Sequence, residues 1–179
     1  MTWQIDYSHS SVNFTARHMM ISKVRGRFET WEGSVNLNLD NPAETAVSVT
    51  VDLSSVNTRD PQRDGHLVSP DFFNVAEYPT MTFQSTRVEK IDADTAKLIG
   101  NLTIRGLTRE VVLDVEYAGE AKSPWGTTSA GFSASGSLNR KDWGLNWNQA
   151  LETGGVLVGE KINIEIELEL IRQPENAPA

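Results

Sequence analysis

The sequence predicts an all-β domain, a barrel or sandwich, on three observations. Apolar and polar residues alternate with period two through most of the chain, the pattern of strands with one buried face. Turn-forming clusters divide these runs at short intervals. A length of 179 residues, with 39% apolar and 22% charged content, suits one domain with its own core.

The elements follow in order. Thr2–Ile5 and Val12–His18 are short candidate strands. From Arg27 to Asp40 the odd positions Trp31, Gly33, Val35, Leu37 and Leu39 form one row against a polar row, with Phe28 the lone exception. Val47 to Leu53 repeats the pattern, followed by Thr80–Val88, Leu98 to Ile104 and Val111 to Tyr117. Phe132, Ala134, Gly136 and Leu138 alternate mainly with serines, and Ile162 to Leu170 alternates with Asn163 and three glutamates. Asp40-Asn41-Pro42, Asp92-Ala93-Asp94 and Ser123-Pro124-Trp125-Gly126 are turn signals. Asp60-Pro61 and Ser69-Pro70 each pair a capping residue with proline, so short helical turns are expected there, carrying Leu67, Phe72 and Phe73 to the rim. Roughly eight antiparallel strands joined by short turns close into a barrel. The barrel is assigned to residues 1–172 and a polar, proline-containing tail to 173–179.

Composition removes several functions. The net charge of −8 repels phosphate backbones, so no nucleic-acid partner is expected. With no cysteine, disulfides, thiol nucleophiles and thiolate metal sites are excluded. The amino terminus lacks the charge and hydropathy pattern of a secretory leader, and no apolar run reaches the ~20 residues of a membrane span. A cytoplasmic protein is therefore expected.

His9, His18 and His66 are read as locally hydrogen-bonded, and no metal, cofactor or catalytic spacing is found. Asp60 reads as a helix cap. The residues expected to meet a ligand are the inward apolar ones: Phe14, Trp31, Val35, Val49, Leu67, Phe72, Phe73, Phe83, Leu102, Leu113, Phe132 and Ile164. An eight-stranded barrel is about the size at which the interior either fills or holds one small ligand. Inward Gly33, Gly100, Ala134 and Gly136 are expected to leave space beside the larger side chains. Arg17, Arg63 and Arg105 are scattered in sequence, so any head group is expected at the mouth, in water.

The blocks Arg63-Asp64-Gly65-His66-Leu67-Val68-Ser69-Pro70-Asp71-Phe72-Phe73, Tyr78-Pro79-Thr80-Met81-Thr82-Phe83, Gly100 to Gly106 and Asn139 to Leu145 resemble the YceI-like polyisoprenoid-binding family. Asp6, Ser8-His9-Ser10, Gly26-Arg27-Phe28 and Val158-Gly159 extend the resemblance over nearly the whole chain. It implies an extended, lipocalin-like antiparallel eight-stranded barrel with an isoprenoid chain inside, often a homodimer, and no established catalytic residues.

The expected function is thus a non-catalytic carrier or store for a long polyisoprenoid or similar lipid. A chain of about 40 carbons at ~0.3 kcal/mol per heavy atom would gain roughly −12 kcal/mol. Two alternatives stand: an enzyme on a hydrophobic substrate using His18, His66 or Asp71, and a filled structural barrel acting through its dimer surface.

Overall fold

The computed structural model describes residues 2–152 and 155–172; the tail assigned to 173–179 lies outside them. Six strands occupy the first third: β1 (Gln4–Ile5), β2 (Ser11–His18), β3 (Ser22–Phe28), β4 (Trp31–Asn36), β5 (Ala46–Asp52) and β6 (Val56–Asn57). Five longer ones follow: β7 (Thr80–Lys90), β8 (Thr95–Ile104), β9 (Leu107–Lys122), β10 (Thr128–Asn139) and β11 (Val158–Arg172). They hydrogen-bond in the order β4-β5-β7-β8-β9-β10-β11-β2-β3-β6, with β1 also on β11.

The pairs β1–β2, β3–β4 and β5–β6 are each a single stave broken by a short bend. The ladder therefore returns to its start, and eight staves enclose an antiparallel barrel. The corner of the second stave is Glu29-Thr30. Glu29 N–H donates to the Ser55 carbonyl at 3.1 Å, and Asp52 N–H donates to the Thr30 carbonyl at 3.0 Å. These bonds hold two bent staves together through the turn. Between β1 and β4 the seam is made by side chains: Gly33 N–H donates to the Tyr7 hydroxyl at 3.3 Å, and the Tyr7 ring packs 4.9 Å from that of Trp31.

The corner also accounts for Phe28. On β3 the even residues Val24 and Phe28 face inward; past the two-residue bend the odd residues Trp31 and Val35 do so. The single strand read over Arg27–Asp40 is therefore two strands, and its one exception belongs to the first.

Loops at the two ends differ. One end carries residues 140–152 and 155–157, the tight Arg105-Gly106 turn and α1 (Pro61–Val68). Asp60 caps α1 by accepting from the N–H groups of Gln62 and Arg63, with Pro61 in the first turn. Ser69 stops it, its hydroxyl donating to the His66 carbonyl at 2.6 Å. The following Ser69-Pro70 segment forms a turn rather than a second helix. Phe73 N–H returns to the Leu67 carbonyl and Val75 N–H to that of Val68, both at 2.9 Å. No described helix is long and apolar enough to cross a membrane.

The buried residues gather in three plugs rather than along the axis. Phe28, Trp31, Val51, Leu53 and Val56 pack at the corner. Phe72, Leu102, Ile104, Trp143 and Leu145 pack under α1, and Trp3, Ala130 and Leu170 pack toward the opposite end. Trp143 is only 2% exposed, and its indole N–H donates to the Leu102 carbonyl at 2.9 Å. Trp143→Ala should therefore cost about 3–5 kcal/mol in urea denaturation. Trp143→Phe, which keeps most of the packing, should cost about 1 kcal/mol for the lost bond.

Candidate ligand cavity

The staves enclose an elongated cavity of about 970 Å³, at the upper end of the ~300–1,000 Å³ usual for small-molecule sites. All twelve residues expected to meet a ligand line it. Trp31, Phe72, Leu102 and Leu113 are buried against neighbouring wall residues. Phe14, Val35, Val49, Leu67, Phe73, Phe83, Phe132 and Ile164 are only partly buried. Inside a barrel, partial exposure of this kind means that a side chain faces a void. The interior is therefore not filled, which speaks against the purely structural barrel.

The inward glycines work differently from expectation. They do not leave gaps beside large residues; large residues lie down on them. A side chain at Gly100 would collide with the Phe83 ring, at Gly26 with the Phe14 ring, and at Gly136 with Leu113. Aromatic and leucine side chains thus lean along the wall across neighbouring staves instead of pointing at the axis. The free space appears in the centre, as one continuous volume.

The end under α1 has a polar frame that sequence reasoning missed. Arg140, 2% exposed, lies in the 3-10 turn Arg140–Trp143 and borders the cavity. Its Nε donates to the Gly159 carbonyl at 2.9 Å. Its Nη1 donates to the carbonyls of Leu145 at 2.6 Å and Trp147 at 2.9 Å, and its Nη2 to that of Val158 at 3.3 Å. The guanidinium also lies 5.9 Å from the centre of the Phe72 ring. Burial pulls its pKa below the ordinary arginine range, and the nearby Glu160 charge opposes that; the group still carries its proton at neutral pH. The available signal was an arginine opening an irregular, aromatic-rich segment. Its four acceptors, spread over residues 145–159, become neighbours only on folding.

Around it sit His66 and Trp147. The His66 ring meets Phe72 edge-on at 5.0 Å and Trp147 at 4.5 Å, and its Nε2 lies 2.9 Å from an Asp71 carboxylate oxygen. His66 and His18 line the cavity, whereas Asp71 does not. His9 is elsewhere, its Nδ1 2.7 Å from Asp6 and 3.7 Å from Glu169. The hydrogen bond to Asp6, more than the two carboxylate charges, raises the His9 pKa, so this histidine is locally satisfied.

An antiparallel barrel enclosing an apolar cavity, with one end covered by a helix, is the architecture of a ligand-enclosing domain. The chain belongs to the YceI-like domain family, whose model matches residues 3–170. A UPF0312 protein of Staphylococcus aureus strain MSSA476 is 38% identical over 165 residues, covering 92% of this chain and 94% of that protein. The YceI protein of Campylobacter jejuni is 35% identical, with a TM-score of 0.75 over 88% of this chain and 90% of that one. Two more distant structures share the fold. BcnA of Burkholderia cenocepacia is 20% identical, with a TM-score of 0.81 over 93% of this chain and 99% of that one. A domain of Saccharophagus degradans described as polyisoprenoid-binding is 16% identical, with a TM-score of 0.67 over 95% and 98%.

Replacing Arg140 would remove its bonds to the carbonyls of Leu145, Trp147 and Gly159 and leave that of Val158 to the Asn148 amide alone. Arg140→Met should destabilise the protein by about 3 kcal/mol or more, read by denaturant unfolding. Arg140→Lys should recover only part of that loss, since an ammonium cannot reproduce the planar fork.

Proposed function

We propose that this barrel holds the chain of a polyisoprenoid or similar amphipathic lipid and carries or stores it without chemical change. The central void walled by partly buried apolar side chains carries the reading. An ordered water needs two to four polar partners, which this middle section does not offer; an apolar chain needs none. If each carbon takes about the ~30 Å³ of a water molecule, the volume of about 970 Å³ accepts on the order of 30 carbons. At ~0.3 kcal/mol per heavy atom that gives about −9 kcal/mol, between micromolar and nanomolar affinity. The estimate is lower than the length-free expectation because the cavity sets a limit on chain length. The shared fold of a domain described as polyisoprenoid-binding agrees with this reading.

Absence of chemistry is supported by where the ionisable groups lie. Those lining the cavity cluster at its two ends, away from its middle, and Asp71, the partner of His66, stands outside the wall. The family resemblance further favours a homodimer, which light scattering after size exclusion would establish.

Protein purified gently from bacteria should carry a long apolar lipid, detected by native mass spectrometry and by organic extraction. Bare polypeptide in repeated preparations would overturn the proposal, and so would a lipid that leaves the protein covalently altered. Phe72 and Phe73 line the cavity beside α1 and pack with Leu67. The Phe72→Ala, Phe73→Ala double variant should therefore speed lipid uptake and release severalfold while retaining the same lipid. Unchanged exchange rates with altered lipid identity would show that the two rings select rather than gate.

A further inference from the structure

The β2–β3 hairpin breaks two local rules at its exposed end. Its turn is tight, with Ile21 N–H donating back to the His18 carbonyl at 3.2 Å, and Met19 and Met20 hold φ angles of 53° and 64°. Asparagine and glycine enter that left-handed region at little cost, and tight hairpin turns select them. This chain places two methionines there and follows them with isoleucine. Met20 is 62% and Ile21 79% exposed, so neither contributes much to the core. Met19 N–H donates to the Leu157 carbonyl at 2.8 Å, which brings exposed Val156 beside the tip. His18 and Leu157 line the cavity, so this apolar knob stands in water at its α1 end.

The second broken rule is electrostatic. Alternation on β2 turns Phe14, Ala16 and His18 inward and Arg17 outward, where its cross-strand partner is Lys23. Like charges directly opposite repel. Arg25 follows on the same outer face of β3, and exposed Lys161 precedes inward Ile162 on the adjoining β11. None of these four cations makes an ion pair among the described residues. On the adjoining loop and the start of β11 the described carboxylates are Glu152 and Glu160, and Glu160 is held by Lys141 at 2.8 Å. The patch runs against the composition of a chain whose net charge is −8.

We propose that this hairpin is a membrane-docking element: Met19, Met20 and Ile21 enter the interface of an anionic lipid bilayer while Arg17, Lys23, Arg25 and Lys161 meet its head groups. Exposed apolar side chains backed by cations are what such a surface binds. At ~3.3 Å per residue, Lys23 and Arg25 lie about 7 and 13 Å behind Ile21. With the tip inserted, their long side chains come within about a Debye length of the charged surface. Both departures from local preference then serve one purpose. A second copy of this chain would set the same cations against each other across a twofold axis, and a nucleic acid would leave the apolar tip in water. Docking extends the lipid-binding reading above, because it presents the α1 end of the cavity to the bilayer.

The test is co-sedimentation of the full protein with vesicles of phosphatidylcholine, alone or mixed with phosphatidylglycerol. Wild-type protein should partition onto the mixed vesicles and not the neutral ones, and rising salt should release it. Lys23→Gln with Arg25→Gln should weaken partitioning by about tenfold or more, at roughly fivefold per cation. The triple variant Met19→Asn, Met20→Gly, Ile21→Ser should lose it while unfolding at an equal or higher denaturant concentration, since the turn then holds residues its geometry favours. The chain has no cysteine, so Ile21→Cys and Trp125→Cys can each carry one environment-sensitive fluorophore. The label at 21 should shift to the blue on mixed vesicles. The label at 125, exposed in the turn before β10 at the opposite end, should not. Failure of the wild type to sediment with mixed vesicles, binding that survives the triple variant, or a label at 21 that stays in water would overturn the proposal. So would a wild-type dimer that the triple variant splits in the absence of vesicle binding, which would make the hairpin an interface between copies. Native mass spectrometry of the same samples separates the two readings. A bound lipid without docking overturns this proposal alone, and docking by a protein that never carries lipid overturns only the lipid-binding reading.

Discussion

Closing a β-sheet on itself removes its edges but fixes its diameter, and the rest of this molecule answers that constraint. Eight staves hold their centres too far apart for side chains from opposite walls to meet throughout. A sequence can respond by filling the axis with large residues or by leaving it open. Here the large residues lie flat across glycines of adjacent staves, Phe83 over Gly100 and Phe14 over Gly26. The wall becomes thick and the axis stays empty. Packing energy is then collected at the corner and at the ends, where Trp31, Trp143 and Leu170 are buried.

Open ends create the second problem. Loops crossing the mouth of a barrel carry backbone groups that no ladder satisfies. At the α1 end Arg140 answers for two of them, at residues 145 and 147, and ties them to the carbonyls of 158 and 159 at the start of β11 through one planar group. Trp143 ties the same turn to the wall through the Leu102 carbonyl. An isoleucine or methionine at position 140 could fill the volume but could not supply four donors. The cost is a buried charge bordering the cavity, 2% exposed and held by hydrogen bonds to carbonyls.

The barrel was legible because alternation is a local property. Most residues of the longer runs read as inward lie on strands, with Leu37, Leu39 and Leu53 just beyond them, and the twelve candidate contact residues line the cavity. The exception at Phe28 marked a real corner, since a two-residue bend shifts the inward row from even to odd. What alternation does not encode is how side chains lean between staves. That is why Gly33, Gly100 and Gly136 read as gaps when they are seats for Ile5, Phe83 and Leu113. Nor does it encode which loop residues converge. Arg63 and Arg140 are far apart in the chain and border one end of the cavity only after closure. The capped helix was legible from Asp60-Pro61, while the similar Ser69-Pro70 became a turn because Phe73 and Val75 bond back to α1.

An interior left open has a thermodynamic consequence. Partly exposed Phe14, Val49, Phe132 and Ile164 contribute less burial than the same residues would in a filled core, at ~25 cal/mol per Å². A guest that covers them restores that burial to the folded state alone, because the unfolded chain has no cavity. Stability therefore rises with ligand occupancy as RT ln(1 + [L]/Kd), about 2.7 kcal/mol at a hundredfold excess over Kd. A barrel built this way couples its own stability to any guest that fills it. The coupling needs no moving part, only a wall whose side chains lie flat and leave the axis to something else.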